Sequence, residues 1–215
     1  MIIVNFKTYQ QVSHIRAQNL ARIIREVIVE TGREIIAAPQ ITDLQLVHQT
    51  MITGTWAQHA DFYEPGQSTG FITLEAIQES GATGVLLNHS EHKLSEDVLK
   101  NTINRARSLG LTTLVFASSL EEARSYIAYR PNLIGYEPPE LIASLETSVA
   151  RAKPDVISSV VEVVSPIPVI VGAGVKDRYD VQTSLKLGAS GVAVSSSVVL
   201  SEDPKKVLLD LTSGY

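Results

Sequence analysis

The stretch LIGYEPPELI, residues 133–142, runs apolar for four residues and then sets a carboxylate, Glu137, directly before two prolines. A proline ring fixes φ and removes a backbone donor, and the residue before a proline is pushed out of the helical region. Glu137 is therefore expected on extended backbone, at a sharp exit from the apolar run. The run is too short for a helix and lacks the polar alternation of a half-exposed sheet, so it reads as a strand buried on both faces. Seven further runs have the same character: IIVNF (2–6), EIIAAP (34–39), WAQH (56–59), GVLLN (84–88), TTLVFAS (112–118), PVIVGAG (168–174) and GVAVSSS (191–197).

Helical periods lie between them. In NLARIIREVIVE (19–30), Leu20, Ile23, Ile24, Val27 and Ile28 share one stripe. Ser119 with Glu122 forms a capping box ahead of ARSYIAY (123–129), Pro154 suits a first helical turn, and Gly110 and Gly188 suit helix C-termini. Eight strand–helix units within 215 residues predict a closed parallel (β/α)₈ barrel of α/β class, near the lower size limit of that fold. An open doubly wound sheet is the alternative. No Pro/Gly/Ser-rich linker or shift in charge divides the chain, so residues 1–215 are expected to form one barrel domain.

Composition narrows the chemistry. The chain has no cysteine, which excludes disulfides, thiolate metal sites and thiol catalysis. A net charge of −5 argues against nucleic-acid and anionic-membrane surfaces, so an anionic substrate must be met by local positive groups. MIIVNFKTYQ (1–10) has no basic leader, and no segment has the run of about 18 apolar residues that a membrane span needs. A cytoplasmic protein is expected.

In a barrel of this kind, polar residues at the C-terminal strand ends share one mouth and read as catalytic. Those ends carry Asn5 and Lys7, then Gln58 and His59, then Asn88, His89, Ser90 and Glu91. Glu137 follows the sixth run, GAGV (172–175) the seventh, and Ser195–Ser197 the eighth. A lysine, a histidine, a glutamate and two small-residue turns at one mouth suit acid–base chemistry on an anionic substrate. Backbone N–H groups at small-residue turns can hold a phosphate without a basic patch. GAGVKD (172–177) lacks the third glycine of a dinucleotide loop.

At these positions the chain resembles the triosephosphate isomerase family, particularly its shorter archaeal branch. The matching motifs are NFKTY (5–9), APQ (38–40), AQH (57–59), TG (69–70), LLNHSE (86–91), YEPPELI (136–142), AKP (152–154) and VGAG (171–174), in order along nearly the whole chain. The resemblance implies interconversion of glyceraldehyde 3-phosphate and dihydroxyacetone phosphate, a small phosphorylated triose, with no cofactor and no metal. It implies catalytic roles for Lys7, His89 and Glu137, with Asn5 and Glu91 assisting. It also implies phosphate contacts from Ala143 and Ser144, from Gly172, Ala173 and Gly174, and from Ser195 and Ser196. The established pattern of this family pairs a glutamate base with a neutral histidine at a helix N-terminus, and SEHKLSEDVL (90–99) is expected to supply that helix directly after His89.

Two places depart from the family. A Gly-Thr-Gly usual in the lid is replaced by Ala143, Ser144 and Leu145, followed by Glu146, and a Gly-Gly in the last phosphate loop is replaced by Ser195 and Ser196. QHADFYEPGQSTG (58–70) has the bland reading of an active-site rim; by resemblance it docks into a neighbouring copy, with Thr69 reaching over. A homo-oligomer follows, a dimer at least and, from the archaeal likeness, a tetramer.

Three rival functions would use the same barrel mouth. A metal-dependent barrel aldolase or epimerase would employ His59, His89, Glu91 and Glu137, although no His-x-His follows the first strand. A Schiff-base aldolase would need a lysine at the end of strands four to six, and none is there. A non-catalytic sugar-phosphate-binding relative would lack the base or the electrophile, and both are present.

Overall fold

The computed structural model describes residues 1–138 and 148–215. Among them, eight parallel strands take the predicted runs: β1 Ile2–Asn5, β2 Ile35–Ala38, β3 Trp56–Ala57, β4 Gly84–Leu87, β5 Thr112–Ala117, β6 Leu133–Tyr136, β7 Val169–Val171 and β8 Gly191–Val194. The hydrogen-bonded order β2-β1-β8-β7-β6-β5-β4-β3 leaves β2 and β3 as its two ends, and a parallel bridge from Ala37 to Thr55 joins them. The sheet is thus a nearly closed barrel, and the open doubly wound alternative falls away.

Side-chain alternation explains the continuous apolar runs. Ile3, Ile36, Trp56, Leu86, Leu114, Phe116, Ile170 and Ala193 fill the barrel, while their neighbours, such as Ile2 and Val4, face the helical layer. Both faces are therefore dry, and each fully buried Ile or Leu contributes about 1.5–3 kcal/mol. The long helix α1 (Ile15–Thr31) buries Leu20, Ile24, Val27 and Ile28 of its predicted stripe and leaves Ile23 half-buried.

The crossovers continue with α2 (Leu44–His48), α3 (Leu74–Glu79), α4 (Glu96–Ser108), α5 (Leu120–Tyr126), α6 (Val149–Ala152), α7 (Pro154–Val164), α8 (Arg178–Lys186), α9 (Ser196–Val199) and α10 (Pro204–Thr212). Pro154 opens α7 as predicted, and Gly110 and Gly188 take φ values of 74° and 94° just past α4 and α8. The Ser119 hydroxyl accepts the Glu122 N–H at 3.1 Å. The Glu122 carboxylate completes the box one residue early, accepting from the Ser118 N–H at 2.8 Å.

One local expectation fails. No helix starts directly after His89, because α4 begins only at Glu96. The Asn88 side chain captures the Leu94 N–H at 3.0 Å, and the His89 carbonyl accepts the His92 N–H at 2.8 Å. Residues 89–94 are held as a turn by those bonds, and the helix waits until the chain has left it.

Candidate active site

The C-terminal strand ends meet at a cavity of about 390 Å³ whose lining includes Asn5, Lys7, His89, Glu137, Gly174 and Ser195. That volume suits a small ligand. Ile3, Leu86 and Phe116 form its apolar floor.

Lys7 enters from a backbone that few side chains adopt, with φ of 47°. A left-handed non-glycine residue costs about 1–3 kcal/mol, so the surroundings must impose it. Asn5 does so from one side, accepting the Lys7 N–H on Oδ1 at 2.9 Å. Gln58 does so from the other, donating to the carbonyls of Lys7 at 3.0 Å and Ala38 at 2.9 Å. The ammonium then reaches Glu91 Oε1 at 2.7 Å.

His89 projects from the turn that Asn88 builds at the end of β4. Asn88 holds φ of 59° and is buried, donating from its amide to the Phe116 carbonyl at 3.0 Å and the Tyr126 hydroxyl at 2.9 Å. Burial chiefly, with Glu122 nearby, pushes the Tyr126 phenol up to about 12, so that hydroxyl stays neutral. Nδ1 of His89 accepts the Glu91 N–H at 3.2 Å. With Nδ1 accepting, the hydrogen of a neutral ring lies on Nε2. Phe116 fixes the ring edge-on at 5.0 Å between centroids.

Glu137 extends β6 by one residue, its N–H bonding the Ala117 carbonyl at 3.0 Å before Pro138 ends the ladder. This answers why the run stops on an acid: the strand delivers the carboxylate to the mouth and the proline turns the chain away. His89 Nε2 lies 3.1 Å from Glu137 Oε2, close but out of line for a hydrogen bond. Oε2 is buried and, among the described residues, receives no hydrogen bond. Gly172 lies directly beneath the carboxyl: a Cβ there would sit 2.4 Å from both Cγ and Oε1 of Glu137.

Across the cavity, Ala173 and Gly174 turn with φ of 65° and 76°. Among the described residues, no bond uses the N–H groups of Ala173, Gly174 or Val175. The Ser195 hydroxyl is buried without a described partner, and Ser196 begins α9 beside it. The Gly172 N–H is already taken by the Tyr136 carbonyl at 3.0 Å, so that glycine makes room for the Glu137 carboxyl and does not offer its own donor. Ala143 and Ser144 lie outside the described residues, as do Leu145 and Glu146.

The residues of the metal reading do not all converge. His59 bonds Asp61 Oδ1 at 3.2 Å and stacks on His92 at 3.9 Å. Among the described residues, no group of three or more His, Asp or Glu side chains is placed to hold a metal ion. Gln58 and Asn88 are the supports that reading strand ends located without assigning a task. Their signal was polar character directly after a buried strand.

A family model described as triosephosphate isomerase matches residues 1–212. The triosephosphate isomerase of Methanopyrus kandleri is 43% identical over 220 residues, covering 99% of this chain and 96% of that protein. That of Thermoplasma volcanium is 40% identical over 212 residues, covering 98% of each. That of Metallosphaera sedula is 36% identical over 217 residues, covering 100% of this chain and 95% of the other.

Proposed function

Because this chain belongs to the triosephosphate isomerase family, we propose that it interconverts glyceraldehyde 3-phosphate and dihydroxyacetone phosphate by proton transfer through an enediolate, with Glu137 as the base. The observation that carries this reading is the buried Oε2 of Glu137, which receives no hydrogen bond among the described residues and lies 3.1 Å from His89 Nε2. Moving a proton between adjacent carbons needs a base over the carbon and an electrophile at the carbonyl oxygen. Oε2 takes the proton from one carbon, the C–H electron pair becomes the enediolate double bond, and negative charge builds on the former carbonyl oxygen. His89 Nε2–H and the Lys7 ammonium stabilise that oxygen; His89 gives it the Nε2 proton and takes in return the hydroxyl proton on the deprotonated carbon. The proton on Glu137 passes to the former carbonyl carbon, leaving the new carbonyl on the carbon that lost it and restoring the base.

Asn5 and Glu91 act through these groups. Asn5 holds the strained Lys7 backbone, while Glu91 sets the Lys7 ammonium with its carboxylate and the His89 tautomer with its N–H. The substrate phosphate sits at the opposite wall, on the N–H groups of Ala173 and Gly174 and on Ser195 and Ser196. Backbone donors suit a dianion in a chain of net charge −5.

The chain works as one barrel domain in the cytoplasm, which its cysteine-free composition permits. It assembles as a homo-oligomer, a dimer at least and, in the manner of its archaeal resemblance, a tetramer. The segment 58–72 supports this: Asp61 clasps Ile72 through its N–H and Oδ2, both at 2.8 Å, and holds out exposed Phe62, Tyr63 and Phe71. Among the described residues, no helix is long and apolar enough to cross a membrane.

A coupled assay on glyceraldehyde 3-phosphate, with and without chelator, tests the reaction. Glu137→Gln retains shape but loses the base, and should cost on the order of 10² to 10⁴ in turnover with the fold intact. A variant within a few-fold of wild type, or activity abolished by chelator, refutes the assignment.

A further inference from the structure

We propose that Asp180 is a positioning residue for phosphate binding: one buried carboxylate that fixes the Ala173–Lys176 turn by bonding it to the Ser148–Arg151 turn. Asp180 is 0% exposed, yet it lies in the first turn of α8, where an acid normally meets solvent. Oδ2 accepts the Lys176 N–H at 2.9 Å. Oδ1 accepts the Ser148 hydroxyl at 2.7 Å and Arg151 Nε at 2.8 Å. A second strand of the same clamp runs beside it, in which the other arm of the Arg151 guanidinium grips Asp177 and the Val149 N–H reaches the Ala173 carbonyl at 3.4 Å.

Burying a carboxylate is costly unless a cation and hydrogen bonds compensate it, and here Arg151 supplies the charge while three donors surround the oxygens. The arrangement has a directional consequence. By drawing the Lys176 N–H to its own side, Asp180 fixes the end of a turn in which, among the described residues, no bond uses the N–H groups of the left-handed Ala173 and Gly174. Those are the donors that the proposed phosphate site employs, so this inference rests on that reading. Backbone donors cannot be replaced by side-chain adjustment, and a turn that wavers loses several at once. A neutral amide in place of Asp180 can offer only one acceptor oxygen, so it must release either the Lys176 N–H or the Ser148 and Arg151 donors.

Because ground state and transition state carry the same phosphate, loss of the clamp should weaken both equally, raising KM while sparing kcat. The test compares wild type, Asp180→Asn, Ser148→Ala and Thr113→Val for inorganic phosphate affinity by calorimetry, for KM and kcat on glyceraldehyde 3-phosphate, and for thermal melting. Thr113 is a buried residue at the far end of the barrel, bonded to Asn132 at 3.0 Å, and controls for simple destabilisation. Asp180→Asn is expected to weaken phosphate and raise KM about ten-fold, with kcat within about three-fold. Thr113→Val is expected to lower the melting temperature without moving phosphate affinity. A folded Asp180→Asn with affinity and KM within about two-fold of wild type overturns the proposal, as does an equal loss of affinity in Thr113→Val. Should Asp180→Asn fail to fold, Ser148→Ala decides: a roughly three-fold loss of phosphate affinity supports the clamp, and unchanged affinity overturns it. A wild type that isomerises but does not bind inorganic phosphate refutes the phosphate site itself, and the clamp with it.

Discussion

Replacing Gly172 with alanine should cripple turnover while leaving the fold and the affinity for phosphate nearly intact. The glycine backbone is outside the left-handed region, so alanine meets no conformational strain. Its Cβ would instead sit 2.4 Å from Glu137 Cγ and Oε1 and 2.8 Å from Cδ. Ordinary contact lies near 3.4 Å or beyond, so the carboxyl must retreat by about 1 Å. That movement is cheap for stability, because the displaced atoms are the end of a flexible side chain. It is expensive for catalysis, because a misplacement of about 1 Å at a reacting group can cost on the order of 10²-fold, or about 2.7 kcal/mol of barrier. Affinity for phosphate should change little, since the Gly172 N–H is committed to Tyr136. Steady-state kinetics on Gly172→Ala, with thermal melting and phosphate calorimetry alongside, provide the check. A folded variant whose kcat stays within three-fold of wild type would refute the claim that Gly172 sets the position of the base.

Lys7→Ala should lower turnover on the order of 10²-fold and also weaken binding of phosphorylated ligands, because it removes the cation from the mouth; binding of a substrate analogue as tight as wild type would show the ammonium to be decoration. Deleting residues 62–68 removes exposed Phe62 and Tyr63 and should give a smaller, poorly active species by solution scattering; an unchanged particle mass contradicts the docking role. For pH, His59 is held below its ordinary 6.5 chiefly by burial, with the Asp61 bond opposing. The unfolded chain therefore binds more protons as pH falls through that value, so the neutral ring's contribution is complete above it and lost on acidification. His59→Asn should lose less melting temperature than wild type between about pH 7.5 and about pH 5.5, and an equal loss in both would count against the buried imidazole.

The barrel was legible because strands dry on both faces leave no alternation to confuse with a helix, and the eight runs mark where each strand starts to within one residue while overrunning some ends by up to three. The candidate catalytic residues were marked out for a related reason: Glu137, His89 and Lys7 stand directly after such runs, and Pro138 marks where β6 must end. What stayed hidden depends on approach across the chain. Gly172 reads as one glycine of a phosphate turn, and only the fold brings the Glu137 carboxyl over it. Asp180 carries no motif that singles it out in the sequence, and only the fold closes Ser148 and Arg151 around it. The start of α4 was misplaced because a side chain six residues earlier, Asn88, competes for the Leu94 N–H. Propensity along 90–99 contains no trace of that competition.

The ladder between β2 and β3 amounts to one bridge, Ala37 to Thr55, whereas β4 and β5 share four registered pairs and so do β1 and β2. A cylinder with seven stitched joints and one basted one has a designated place to part. Thermal fluctuation should unzip there first, exposing amides around Thr55 and Trp56 to exchange while the β4–β6 wall stays shut. The segment that leaves β3 carries Phe62, Tyr63 and Phe71 outward. Whatever grips those aromatics also pulls on the seam, which places the mechanical weakness of the cylinder and its handle on the same short stretch of chain.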